Sequence, residues 1–149
     1  MSAWWVIPVW KTIHYIAIVM VVGVASLVDL RIFGIAKALP LRPLQRLMWW
    51  AGAAFAVAAA SGYALLRINP ANSLGPPINV AFAAKMLFLV MIGLNDILYV
   101  SSGLKGQVDA VAAGESASAS AKIVAAVSLA LWIGVVFWSR LVTFLAGAI

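Results

Sequence analysis

Four long, predominantly apolar stretches follow one another in this chain, and the segments between them are short. A helix that crosses a bilayer needs about 20 such residues, so four spans and their connections fill the 149 positions. Charged residues make up only 9% of the chain, against roughly 25% in an ordinary soluble domain. A soluble fold this size has too few charges here to cover its surface, and the mean hydropathy of +1.10 agrees. Lipid must be the solvent for most of the outer face. The expectation is an all-α, integral membrane four-helix bundle forming a single domain over residues 1–149.

The first span is expected at about residues 9–37, with Pro8 suited to its first turn because a missing N–H costs little there. A tight turn of cytoplasmic type follows at 38–42, with Pro40 and Pro43. The second span is expected at about 43–67 and the third at about 80–101. Between them, residues 69–79 hold three prolines and a glycine and read as an ordered surface loop. Residues 102–118 are small and polar and read as the most flexible segment. The fourth span is expected at about 119–146.

Basic residues set an orientation. Arg31, Lys37, Arg42, Arg46, Lys105 and Lys122 gather toward the first and third loops, and Lys11, Arg67, Lys85 and Arg140 toward the termini and the second loop. The positive-inside rule puts the first and third loops in the cytoplasm and both termini on the outer side of a bacterial inner membrane. Trp4, Trp5, Trp10 and Trp138 then form an outer aromatic belt, and Trp49 and Trp50 an inner one. The first apolar run lacks a basic n-region and a small-residue cleavage site, so it reads as a retained helix. With bases at helix ends, the net charge of +6 points to lipid headgroups and not to nucleic acid. The absence of cysteine excludes disulfides, thiolate metal sites and thioether-linked haem.

Ionisable groups at membrane depth are functional suspects, and two layers of them emerge. In the outer layer, His14 and Lys85 lie at similar depth, about six residues into the first and third helices. Lys11 is one turn above His14, and Ser61 and Arg140 approach from helices two and four. Several cations and one imidazole without a carboxylate favour an anionic or electron-rich ligand: haem propionates, a quinone headgroup, a lipid phosphate or an acidic partner residue. The alternative is that Lys11, Lys85 and Arg140 snorkel to headgroups. In the inner layer, Asp29 and Arg31 end helix one, Asn95 and Asp96 lie late in helix three, and Arg46 and Lys122 stand nearby. The reading there is structural ion pairs among Asp29, Arg31, Asp96 and Lys122, with a proton path as the alternative. Ala58 and Gly62 form a small-x-x-x-small pair, for packing within the bundle or against a second copy. One histidine cannot build a multi-histidine zinc site, and no phosphate loop or shared-depth Ser, His and Asp set is present.

The runs KTIHYIAIVMVVGVASLVDLRIFG and NVAFAAKMLFLVMIGLN resemble the small four-helix inner-membrane proteins of the CopD-like group. They are more distantly similar to the HemJ-type protoporphyrinogen oxidases, which also carry an early histidine in helix one and an early lysine in helix three. The resemblance covers roughly the first hundred residues. It implies binding of haem b or porphyrin, with His14 as the iron ligand and Lys85 as the matching lysine. With no second histidine in the chain, haem would have one protein ligand, or take a second from a methionine such as Met20 or Met86 or from another subunit. Two functions are therefore expected as alternatives. One is a protein binding haem b, porphyrin or quinone near His14, Lys85, Lys11, Arg140 and Ser61. The other is a non-catalytic accessory or scaffold subunit of a larger membrane complex or homo-oligomer.

Overall fold

Small side chains decide which helices touch. In lipid there is no hydrophobic drive between helices, so they associate where backbones can approach and pack closely. In the computed structural model, which describes residues 4–68 and 76–147, helix α1 (Val6–Phe33) carries a buried seam of Ala17, Val21, Ala25, Val28 and Ile32. Helix α2 (Leu41–Ile68) answers with Leu44, Ala51, Ala54, Ala58, Ser61 and Leu65. Helix α3 (Pro76–Ser101) and a short helix α4 (Leu104–Asp109) follow, and helix α5 (Ala119–Gly147) closes the chain. The α5 seam is Ala121, Ala125, Ser128, Trp132 and Val135. Each seam advances by threes and fours, the spacing that keeps one face of a helix against its neighbour. The described residues contain no strand. Four of the helices are long and apolar enough to cross a membrane.

Helix α2 packs on α1, α1 on α5, and α5 on α3. Helices α2 and α3, at the two ends of this row, make no comparable contact. Between them α2 presents Met48, Gly52, Phe55 and Ala59, and α3 presents Phe82, Leu89, Gly93 and Tyr99. The bundle is therefore open on one side. The α3–α5 seam is tight at Gly134, where the Phe88 ring occupies the space a Cβ would need.

The helix boundaries differ from the sequence expectation for local reasons. Helix α1 stops at Phe33, short of residue 37, because Gly34 takes a left-handed conformation (φ 110°) and returns its N–H to Leu30 O at 3.1 Å. This is the usual glycine stop. Helix α2 starts at Leu41, so that Pro43 falls in its first turn, where no N–H partner is needed. Helix α3 starts at Pro76. Much of the loop expected at 69–79 lies outside the described residues.

Residues 102–118 are not the loose segment their composition suggested. They form α4 and a clasp that closes one end of the bundle, with Leu104, Val108 and Ala117 buried against Val28, Ile32, Leu41 and Leu44. Arg31 organises the clasp. Its fully buried guanidinium donates to Leu39 O (2.6 Å), Ala112 O (3.1 Å) and Glu115 O (3.2 Å). Gly114 N–H adds a bond to Lys37 O at 2.9 Å, and Gln45 donates to the Asp109 carboxylate. Burial alone would raise the Asp109 carboxyl. The hydrogen bonds from Lys105 and Gln45 and the charges of Lys105 and Arg42 outweigh it and hold the group below the usual carboxylate range. Its contribution is thus present above the unfolded value of about 4 and is lost as pH falls below it.

Replacing Arg31 by Met strands three carbonyls, at a cost of about 1–3 kcal/mol each where they are buried. The variant is expected to unfold at markedly lower denaturant in detergent and to be cleaved by protease within residues 102–118. Unchanged resistance to both would show that the clasp does not depend on the guanidinium.

Candidate functional site

The open side of the row leads into two adjoining chambers. The larger, about 680 Å³, lies toward the end of the bundle that holds the chain termini. The smaller, about 340 Å³, lies toward the clasp. Val21, Phe55, Leu89 and Trp132 line both and form the waist between them.

His14 and Lys85 both line the larger chamber, from α1 and α3, and Lys11 lies on the same wall as His14. The imidazole is seated by α2. Its Nδ1 is 3.0 Å from Ser61 Oγ, and Ser61 is itself 1% exposed. The Ser61 hydroxyl donates to Val57 O at 2.6 Å, one turn back. With the hydroxyl donating there, Ser61 Oγ accepts from Nδ1–H, the tautomer that keeps the Nε2 lone pair for a ligand. Gly62 provides the room. A Cβ there would sit 3.0 Å from the imidazole Cε1, so the small-x-x-x-small pair serves a histidine seat as well as helix approach.

The other expected residues separate. Ser61 holds His14 from behind and does not line the chamber. Arg140 is exposed and does not line it either. Its neighbour Ser139, about 100° around the helix, does, and its buried hydroxyl has no hydrogen-bond partner. Ser139 went unnoticed in the sequence because a serine in a membrane helix is commonly back-bonded to its own turn. Tyr15, Tyr63 and Thr143 add polar groups to the lining. Met86 lines the chamber, whereas Met20 does not and is exposed.

The smaller chamber collects Asp29 from α1, Asn95, Asp96 and Tyr99 from α3, and Ser128 from α5. Asn95 Nδ2 donates to Val124 O at 3.3 Å and ties α3 to α5. The ion pairs expected of Asp29, Arg31, Asp96 and Lys122 are not found. Arg31 lies two residues beyond Asp29, about 200° around the helix, and is committed to the clasp. Lys122 reaches toward the Gly34 turn. Among the described residues the one ion pair is Lys105–Asp109, at 2.8 Å on the surface.

Among the described residues no three histidine or acidic side chains stand together to hold a metal. A single-histidine site suits a metal that arrives in a macrocycle carrying its own equatorial nitrogens. No family model, curated protein or solved structure matches the chain.

Because the chain holds one histidine, its imidazole is a single reporter. Nitrogen NMR of the unliganded protein is expected to show the Nδ1–H tautomer. Ser61→Ala should convert it to a tautomer mixture, and Gly62→Val should displace the ring. An Nε2–H tautomer in the wild type would contradict the assignment.

Proposed function

We propose that the protein is a haem b-binding membrane protein, with the group held in the larger chamber by His14 Nε2. The observation that carries this reading is the seated imidazole: Nδ1–H spent on Ser61, Nε2 available, and a chamber in front of it. The chamber's 680 Å³ falls within the roughly 300–1,000 Å³ of small-molecule sites. Its walls are apolar, from Ile18, Val21, Val22, Leu89 and Val135, as a macrocycle requires. Lys85 and Lys11 would meet the propionates through charge-assisted contacts, and the partnerless Ser139 hydroxyl would add a donor. Met86, which also lines the chamber, would be a further candidate ligand. When bound, the group would supply one-electron exchange within the membrane. A porphyrin without iron would use the same walls and lysines, and a quinone the same imidazole and lysine donors.

The same reading places the clasp in the cytoplasm and both termini outside an inner membrane, from the six bases at the clasp end. The exposure of Trp4 and Trp5 at one end and of Trp49 and Trp50 toward the other supports spans flanked by aromatic belts. A second reading, a subunit that docks on another membrane protein or on itself, is favoured by one observation. Ala53, Ala56 and Ala60 stand exposed along one side of α2, where a further helix could approach closely.

Protein purified from haem-replete cells in mild detergent is expected to show a Soret band. His14→Ala should fold and lose it, and Ser61→Ala should weaken haem retention by roughly tenfold or more. Wild-type protein that neither carries nor takes up haem or porphyrin would overturn the reading and leave the docking subunit in its place.

Orientation is tested separately. Cysteines introduced at Ser2 and Ser116 and probed with an impermeant thiol reagent in intact cells should give labelling at Ser2→Cys alone. Labelling of Ser116→Cys alone would invert the topology.

A further inference from the structure

The smaller chamber is acidic where the larger one is basic. Asp29, 9% exposed, forms part of its lining, and its Oδ2 has no hydrogen-bond partner. Ser128 hydrogen-bonds to the Asp29 carboxyl, and Asp96 lies close enough to repel its charge. Two carboxylates thus share one cavity, and neither has an ion-pair partner among the described residues. The neighbouring bases Arg31 and Lys122 form no ion pair with them. Arg31 is spent on three clasp carbonyls, and Lys122 turns toward Gly34. Asp29 is buried and Asp96 is exposed on the side open between α2 and α3; unpaired charge at this depth is costly in a bilayer, and a positive occupant would relieve that cost.

The rest of the lining narrows what that occupant is. No third acidic or histidine ligand completes a metal site among the described residues. The cavity, about 340 Å³, is far roomier than a bare ion needs. Its other walls are Val21, Val28, Ile32, Leu89 and the aromatic rings of Phe55, Tyr99 and Trp132. Apolar walls match an apolar body, and aromatic faces attract a cation that has shed its water. With no comparable contact between α2 and α3, a ligand would enter laterally through the gap between them.

We propose that the smaller chamber binds a lipophilic organic cation, an ammonium or phosphonium on an apolar body, with Asp29 and Asp96 as its counter-charges. This site is independent of the haem reading: it uses different ligating residues, and either assignment can fail alone.

Equilibrium dialysis of the detergent-purified protein against radiolabelled tetraphenylphosphonium tests it. Saturable binding is expected. Asp29→Asn and Asp96→Asn should each weaken it by roughly tenfold or more, the loss of one charge-assisted contact. Glu115→Gln, in the clasp, should leave it unchanged. A second measurement uses the wild type and does not depend on a variant folding. The lipid-soluble reagent dicyclohexylcarbodiimide should modify Asp29 and Asp96, detected by mass spectrometry, and tetraphenylphosphonium should slow that modification. Absence of saturable binding, binding indifferent to both aspartate substitutions, or modification that the cation does not slow would each overturn the proposal. Displacement by sodium ions at equal concentration would also overturn it, by assigning the carboxylates to a small inorganic cation.

Discussion

The close approach of α1 to its neighbours is the contact on which the rest of the molecule depends. In lipid, a helix gains little by hiding apolar surface from another helix, so contact comes from packing and from the few polar bonds that cross the interface. On α2, Ala51, Ala54, Ala58, Ser61 and Gly62 let the α1 backbone come near. On α5, Ala121, Ala125 and Ser128 do the same on another face of α1. Helices α2 and α3 make no comparable contact and stay apart. The distribution of small residues along α1's seams therefore determines the order of the row, and the missing α2–α3 contact its open side and the position of both chambers.

The polar groups follow the same geometry. Where α1 meets α2, the imidazole of His14 lies over Gly62 and bonds to Ser61, and this interface turns a lone histidine into an oriented one. Where α1 ends, Arg31 satisfies carbonyls of the turn and of the α4–α5 connection, so the clasp closes on a buried cation without burying its counter-charge. The consequence is a separation of charge along the bundle. Cations and an imidazole line the chamber near the termini, and two carboxylates line the chamber near the clasp. Phe55, Leu89 and Trp132 stand between them with Val21.

Much of this was legible in the residues. The four spans are visible because apolar length and scarcity of charge are strong signals, and His14 and Lys85 share a depth because rise per residue is fixed. They also share a chamber, as that depth suggested. Helix ends were less legible: Gly34 stops α1 by its backbone conformation, inside a run whose composition would have continued. The 102–118 segment looked loose because its residues are small and polar, yet Leu104, Val108 and Ala117 are enough to dock it once Arg31 supplies donors. Depth says nothing about azimuth, and this is why Arg140 was singled out and Ser139 was not. Pairing was likewise beyond reach, since mixed charges at one depth suggest salt bridges whether or not the side chains point at one another.

The open side of the bundle carries both binding proposals, and the lack of native cysteine makes it directly measurable. Two cysteines whose Cα atoms lie more than about 7 Å apart cannot be bridged without backbone movement. The pair Phe55→Cys and Leu89→Cys spans the waist between α2 and α3, and pairs joining residue 52 or 59 of α2 to residue 93 or 86 of α3 sample the gap on either side. Oxidation in native membranes is expected to leave all of these pairs as free thiols. Rapid, near-complete disulfide formation at the waist and on both sides of it would mean that α2 and α3 are packed along their length, and would contradict an open bundle with ligand chambers between them.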